Sequence, residues 1–474
     1  MQVDLDFISS VIPQAQILGN SWLSDADYVI DSRLVQPGEI FVALTGAKFD
    51  GHDFLKQALD NGAAGFILNE SQRKIIYEKY AKLLESKSIL FVPDTRLALI
   101  ELARAWRKRF DISVVGVTGS VGKTTTKEII RNILKIAQIN ALVSSGNQNT
   151  MIGASLNILK LRSRHKVAVF EMGISELGNM KQLTELIHPT LAIITQIAHA
   201  HMQGLGGLAT ISKEKREIFS LFGNHDIGII NGDQKELSEI SYRHPVVSFG
   251  KKRTNQIQAR RVVIDKNFIH FTLKIYKNSY PVVLPTCNQT RVMNALAAIA
   301  VGYMLEIPDT LLVKAIELPI VVKGRFEILQ SPLGAEFIND AYNANPDSVK
   351  ASIISFDGYK TEKNKIVVLG DMLELGDDVI FWHRQIGRYL SKIHDLYKVV
   401  LIGNYVQHMK KSLPYGIKYE LFDTVEQAYD CIKGLAHDKN NILLFKASNS
   451  MRFSYLFEKI FELESNNDER YTRS

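Results

Sequence analysis

From Ile112 onward the chain alternates short β-branched runs with stretches of helical periodicity: ISVVGV, a helix from Lys123, KVAVFEM, a helix near Leu177 to Ile187, and TLAIITQI. That alternation predicts a parallel sheet flanked by helices. Between Gln256 and Leu284 apolar and polar residues alternate one by one in RVVIDKNFIHFTLKIYKNSYPVVL, with turns at Asp265-Lys266-Asn267 and Lys277-Asn278-Ser279. An antiparallel meander appended to the α/β unit follows. After Leu318-Pro319 the first pattern restarts with KIVVLG, a helix through Ile386, KVVLIG, a helix from Thr424 and NILLFK, which reads as a second, Rossmann-like domain. Ahead of Ile112, PGEIFVAL, the helix-like FLKQALDNGA and GFIL predict a small α/β domain. The expected fold class is therefore α/β in three domains: a small N-terminal domain over 1–92, a central parallel-sheet domain with the meander over 93–318, and the Rossmann-like domain over 319–474.

Length supports this division, because 474 residues exceed what one hydrophobic core organises. No apolar run is long enough to cross a bilayer, so membrane insertion is not expected. Met1 to Ser10 carry Asp4 and Asp6 and no basic segment, unlike a secretory signal, and the expected location is the cytoplasm. Cys287 and Cys431 stand far apart in no metal-ligand spacing, so both are expected as buried, reduced thiols. The net charge of +7 suits polyanionic ligands, but it is spread along the chain with no basic stripe interleaved with aromatics, so nucleic acid is not an expected partner.

The segment Val114 to Thr126 joins an apolar strand, a glycine-rich turn and a helix start. Glycines let backbone N–H groups curl toward phosphates, the helix N-terminus adds positive potential, a lysine reaches the β- and γ-phosphates, and a threonine hydroxyl ligates magnesium. Gly119, Ser120, Val121, Gly122, Lys123, Thr124 and Thr125 are thus the candidate ATP-binding loop, with Lys123 the charge clamp and Thr124 a magnesium ligand. Strict P-loop spacing would put glycine at Val117, so the loop is a variant. Glu171 ends the apolar strand KVAVFEM, where a carboxylate meets such a loop in an open α/β sheet, and it is read as a magnesium ligand rather than a solvated strand end. Phosphate binding alone leaves kinase, GTPase, motor ATPase and ligase open.

Gly-x-x-Gly-x-x-Gly-Lys-Thr-Thr resembles the loop of the Mur ligases, and further segments resemble that family along nearly the whole chain. They are Asp31-Ser32-Arg33 with PGEIFVALTGAKFDGHDF, Gly146 to Thr150, Glu171-Met172-Gly173, Ala200-His201-Met202, Lys215 to Ile218 and Asn294-Ala295-Leu296. Asn339 to Ser348 and Leu369 to Gly376 are similar to the branch that adds D-alanyl-D-alanine, and the Asp-Asn-Pro-Arg motif of the diamino-acid-adding branch is absent. Two departures stand out: Lys446 to Met451 lacks the usual glycine and arginine, and Arg291 replaces a common asparagine.

The resemblance implies an ATP-dependent ligase that joins D-alanyl-D-alanine to UDP-N-acetylmuramoyl-tripeptide through an acyl phosphate, acting as a monomer with two magnesium ions. It makes His201 a ligand of the second ion, with His199 the competing candidate two residues away. It carries over Asn294 and Arg325 as adenine and phosphate contacts and Asp340 as a ribose or closure contact, although each could cap or pair locally. Ser32 and Arg33 are expected on the diphosphate and uridine, Asn147 and Asn149 along the muramoyl-peptide path, and Asn343 and Asn345 near the dipeptide. Lys215 falls where related ligases carry a carbamylated lysine. Its bland alternative is a solvated helix face, with Lys213 the neighbouring candidate. An ammonium beside two magnesium ions would be repelled, whereas a carbamate offers them two oxygens. Three rivals remain: a P-loop kinase or regulatory ATPase, a module that senses precursors without turning them over, and a Mur-type ligase for another amino acid.

Overall fold

The structure is a computed structural model and describes residues 3–18, 25–84, 87–200 and 202–471. Its strands fall into three sheets. The first holds β1 (Gln16–Leu18), β2 (Tyr28–Val29), β3 (Ile40–Val42), β4 (Gly65–Asn69) and β5 (Ser88–Val92) in the order β1-β5-β4-β3-β2, parallel except where β1 meets β5.

The second sheet contains β6 (Ser113–Thr118), β7 (Ala141–Val143), β8 (Val167–Glu171), β9 (Leu191–Ile194), β10 (Ile227–Asn231) and β11 (Val246–Gly250). The meander β12 (Ile257–Asp265), β13 (Phe268–Ile275) and β14 (Asn278–Leu284) completes the order β14-β13-β12-β11-β10-β9-β6-β8-β7. β6 lies between β8 and β9 with a packed core on each face, Val114 in one and Val115 and Val117 in the other, so all three are fully buried. Successive strands depart from β6 in opposite directions, so a crevice opens beyond its carboxyl end, where open α/β sheets bind ligands.

The third sheet takes β15 (Glu327–Gln330), β16 (Glu336–Asn339), β17 (Asn364–Gly370), β18 (Leu396–Ile402), β19 (Lys418–Phe422) and β20 (Asn441–Lys446) in the order β15-β16-β20-β17-β18-β19, antiparallel only at β15 with β16. The α/β class, the meander and the Rossmann-like C-terminal sheet expected from the sequence are all present.

The β12–β13 hairpin has Lys266 and Asn267 at φ of 45° and 69°, the left-handed pair that a two-residue turn needs to match strand twist. Its tip reaches the third unit: Asn267 Nδ2 donates to the Lys360 carbonyl at 3.1 Å, and the Lys360 N–H donates to Asn267 Oδ1 at 2.7 Å. Of the two cysteines, Cys287 is buried as expected, but Cys431 is only partly so, and both are free thiols.

The helix Thr95–Arg107 joins the first sheet to the second. Trp106 Nε1 donates to the Leu161 carbonyl at 3.2 Å, and buried Arg107 donates to the carbonyls of Ile187 (2.8 Å), Phe110 (2.8 Å) and His188 (3.1 Å). Arg107→Leu leaves those carbonyls without their donor and should lower stability by about 3 kcal/mol. A urea melt checks this, and an unmoved midpoint would show that the three bonds contribute nothing net.

Candidate active site at the phosphate loop

The glycine that strict loop spacing would place at position 117 would lie inside strand β6, and the turn proper starts two residues later. Gly119 (φ 148°) and Gly122 (φ 91°) take conformations that side chains disfavour. A Cβ on Gly119 would lie 2.0 Å from Thr195 Oγ1, and one on Gly122 would lie 2.4 Å from Asn294 Oδ1. The segment after β9 braces the loop: Ser120 N–H donates to the Gln196 carbonyl (2.6 Å), Ser120 Oγ to that of Ala198 (3.0 Å), and Thr195 Oγ1 to that of Val121 (2.6 Å). The helix Lys123–Ile136 then starts without a side-chain cap, which leaves its first N–H groups for a ligand. Lys123 folds back so that its ammonium donates to the Gly119 carbonyl at 2.8 Å. Burial pulls this ammonium below the usual lysine range, with Glu171 opposing the shift and Arg325 adding to it.

Glu171, the last residue of β8, is 2% exposed. Its Oε1 accepts from Asn149 Nδ2 at 2.9 Å, while Oε2 is buried without a hydrogen-bond partner. A buried, orphaned carboxylate oxygen is what a hard divalent cation requires, so Glu171 fits magnesium. Among the described residues no group of three His, Cys, Asp and Glu side chains forms a ready cation cage, so any ion here would also draw on hydroxyl, modified-lysine or ligand oxygens. His201 lies outside the described residues. Its competitor His199 is engaged elsewhere, with Nδ1 3.0 Å from Asp347 Oδ2. Lys215 is 2% exposed, whereas Lys213 faces solvent, so the bland surface reading fits Lys213 alone. Burial first, then the charge of Lys123, drives the Lys215 amine well below the ordinary lysine range against the pull of Glu214.

The third unit covers the site. The Arg325 guanidinium lies 3.9 Å from the Tyr342 ring centroid. Asp340 Oδ1 accepts from the Phe326 N–H at 3.0 Å; its Oδ2 accepts from Ser352 Oγ and pairs with Lys446 Nζ at 2.8 Å. Asn345 caps the helix Pro346–Gly358 by accepting from the Ser348 N–H at 2.8 Å, and Asn343 Oδ1 accepts from the Ala344 N–H at 2.9 Å.

A cleft of about 400 Å³ brings together Ser120, Val121, Lys123, Asn149, Glu171, Arg325, Asn343 and Asn345. A smaller adjoining cavity holds Gly122, Thr124, Thr125, Asn294, Arg325 and Asp340, with Arg291 and Lys446 in its wall. Asn147 lines neither but shares a further cavity with Thr124 and Arg325. Arg291 Nη2 donates to the Ile320 carbonyl at 3.0 Å, and burial pushes its pKa down to about 10. Ser32 and Arg33 stand apart in the first unit: buried Ser32 donates to Gln57 Oε1 at 2.7 Å, and Arg33 forks onto Asp31 at 2.9 and 2.6 Å.

Sequence reasoning missed three residues of this site. Lys127 is fully buried, donates to the Gly146 carbonyl at 2.7 Å and lies 3.8 Å from Glu171 Oε2. Its spacing of four from Lys123 puts both on one helix face, which was the available signal. Tyr342, under Arg325, and Lys446, on Asp340, carried no comparable signal, because their partners are remote in sequence.

Models of known families match over three stretches: the Mur ligase family catalytic domain at 28–107, the Mur ligase middle domain at 117–302, and the Mur ligase glutamate ligase domain at 324–449. The UDP-N-acetylmuramoyl-tripeptide--D-alanyl-D-alanine ligase of Bacillus subtilis is 32% identical over 91% of this chain and 92% of its own. Its Escherichia coli namesake is 31% identical over 84% and 86%. Among solved structures, MurF from Acinetobacter baumannii superposes with a TM-score of 0.80 at 28% identity, covering 96% of this chain and 98% of that one. MurF ligase from Thermotoga maritima, in complex with ADP, gives 0.76 at 28% identity over 94% and 100%.

Gly122→Ala forces a left-handed backbone onto alanine and drives its methyl into Asn294. It should weaken ADP binding by about 2 kcal/mol. Calorimetric titration measures this, and an unchanged affinity would remove the helix start as the nucleotide's seat.

Proposed function

The chain belongs to the Mur ligase family and is an ATP-dependent peptide ligase, and we propose that the cleft between its second and third units joins D-alanyl-D-alanine to UDP-N-acetylmuramoyl-tripeptide. The observation that carries this reading is the gathering of Lys123, Glu171, Arg325, Asn343 and Asn345 around one cleft. The Asn339 to Ser348 segment, which resembles the dipeptide-adding branch, faces the phosphate loop there.

Amide formation from a carboxylate needs an activated acyl carbon. Attack of the tripeptide carboxylate on the γ-phosphorus breaks the bond to the β-phosphate, releasing ADP and forming a C–O–P linkage; the dipeptide amine then attacks the acyl carbon, the C–O bond breaks, and phosphate and the amine's proton depart. Lys123 and Arg325 oppose the negative charge that collects on the phosphoryl oxygens. Asn149 holds Glu171 with one oxygen free. Thr124, Glu171, His201 and a modified Lys215 are the residues that would hold magnesium, which would supply positive charge against the crowded oxygens. Asn343 and Asn345 stand near the dipeptide, Asn294 and Asp340 beside the nucleoside, and Ser32, Arg33 and Asn147 along the UDP-muramoyl portion. Closure of the third unit keeps water from the acyl phosphate. The chain acts in the cytoplasm as a monomer. Among the described residues, no helix is long and apolar enough to cross a membrane.

The burial of Lys215 bears on its modification. Only an uncharged amine attacks carbon dioxide, forming an N–C bond and releasing a proton, and an environment that lowers the amine's pKa supplies that form. The product puts a −1 charge on a buried residue beside Lys123.

Phosphate release should require both UDP-N-acetylmuramoyl-tripeptide and D-alanyl-D-alanine. Equal turnover with a free diamino acid on the dipeptide precursor would overturn the assignment, and release without any amine would favour the kinase or regulatory ATPase reading. Lys215→Ala should lose about 10²–10³-fold in kcat and regain part of it when a small carboxylic acid is added. Full activity in that variant would make Lys215 a packing residue.

A further inference from the structure

The helix Pro346–Gly358, which carries Ser348 at its start and follows Asn343 and Asn345, is held by the second unit at three levels. At its far end the hairpin tip at Asn267 grips Lys360. Midway, Ser355 Oγ accepts from the Gln289 N–H at 3.2 Å. At its start, Asp347 Oδ2 takes two hydrogen bonds from one residue, His199: the backbone N–H at 3.0 Å and ring Nδ1 at 3.0 Å. The same imidazole packs on Trp382 with ring centroids 4.6 Å apart, and the Trp382 indole N–H is buried without an acceptor.

The first two contacts lie away from the cleft. The third borders it, because Asn345 and Ser348, on either side of Asp347, both line it. His199 also sits between Ala198, whose carbonyl accepts from the phosphate-loop Ser120, and Ala200, which lines the cleft. One short segment therefore fixes the phosphate loop on one side and the start of the helix on the other.

We propose that His199, clamped between Asp347 and Trp382, is a positioning residue that sets the third unit's distance from the phosphate loop and thereby the affinity for the amine substrate. This rests on the ligase reading above. The bidentate grip on a single carboxylate oxygen fixes direction as well as distance, and the indole face blocks the imidazole from swinging aside. Neither His199 nor Asp347 lines the cavity of Gly122, Thr124 and Asn294, and the bond from phosphate-loop Ser120 goes to the Ala198 backbone, which a change of the His199 side chain leaves in place, so loss of the clamp acts on the amine rather than on ADP.

The test is steady-state kinetics of phosphate release with the full chain, alongside ADP titration and the fluorescence of Trp382, which an adjacent imidazole quenches. His199→Ala should raise KM for D-alanyl-D-alanine tenfold or more while ADP affinity stays within twofold, and should brighten the fluorescence. Trp382→Phe removes that signal and identifies its source. His199→Asn, whose amide reproduces the Nδ1 donor, should recover most of the lost KM. Unchanged kinetics in His199→Ala overturn the proposal. So does an equal loss in His199→Ala and His199→Asn accompanied by a lower melting temperature, because the contact then serves stability alone. If the wild-type chain itself releases no phosphate in response to D-alanyl-D-alanine, the ligase reading fails first.

Discussion

Around Glu171 the chain gathers three cationic side chains, Lys123, Lys127 and Arg325, with one carboxylate oxygen left without a hydrogen bond among them. Positive charge in excess of its partners, held away from water, is costly unless an anion completes it. The rest of the architecture follows from that constraint. Strand β6 must end where the helix dipole can add to the field, the loop must lack side chains where the backbone turns back on itself, and a second unit must cover the crevice so that the field is not screened. The lowered affinity of Lys123 and Lys215 for protons is the same constraint seen from the side of titration.

The second and third units divide the work. The second supplies the phosphate loop and the orphaned carboxylate, both at the ends of buried strands. The third supplies Arg325, steadied on Tyr342, and a helix start whose capping box is satisfied within itself. Asp340 is anchored to Lys446, Ser352 and the Phe326 N–H, which makes it a fixed wall of the smaller cavity rather than a mobile side chain.

Much of the fold was legible in the sequence because period-two and helix-period patterns report burial locally. The loop was legible because glycines, a lysine and a helix start must be contiguous to cradle phosphate. The place of Glu171 in the cleft followed from its position at the end of an apolar strand. What escaped was set by tertiary proximity: nothing near Lys127 says that its ammonium lies beside Glu171, and nothing near His199 says that it meets Asp347. Lys215 was separated from Lys213 only by burial, since both sit on one short helix with similar neighbours. Asn345, expected near substrate, spends its side-chain oxygen on a helix cap and still borders the cleft, so capping and a place in the cleft are not exclusive alternatives for an asparagine.

The hairpin tip at Asn267 superposes two demands on one residue. A left-handed backbone is needed to reverse the chain, and a carboxamide is needed to match the N–H and carbonyl of Lys360. Glycine would satisfy the first and fail the second; glutamine would strain the first while keeping the amide. Substitutions harmless to the folding of the meander can therefore still loosen the assembly of the two units, and the tolerance of this turn to drift is set by a neighbour 93 residues away in the chain rather than by the turn itself.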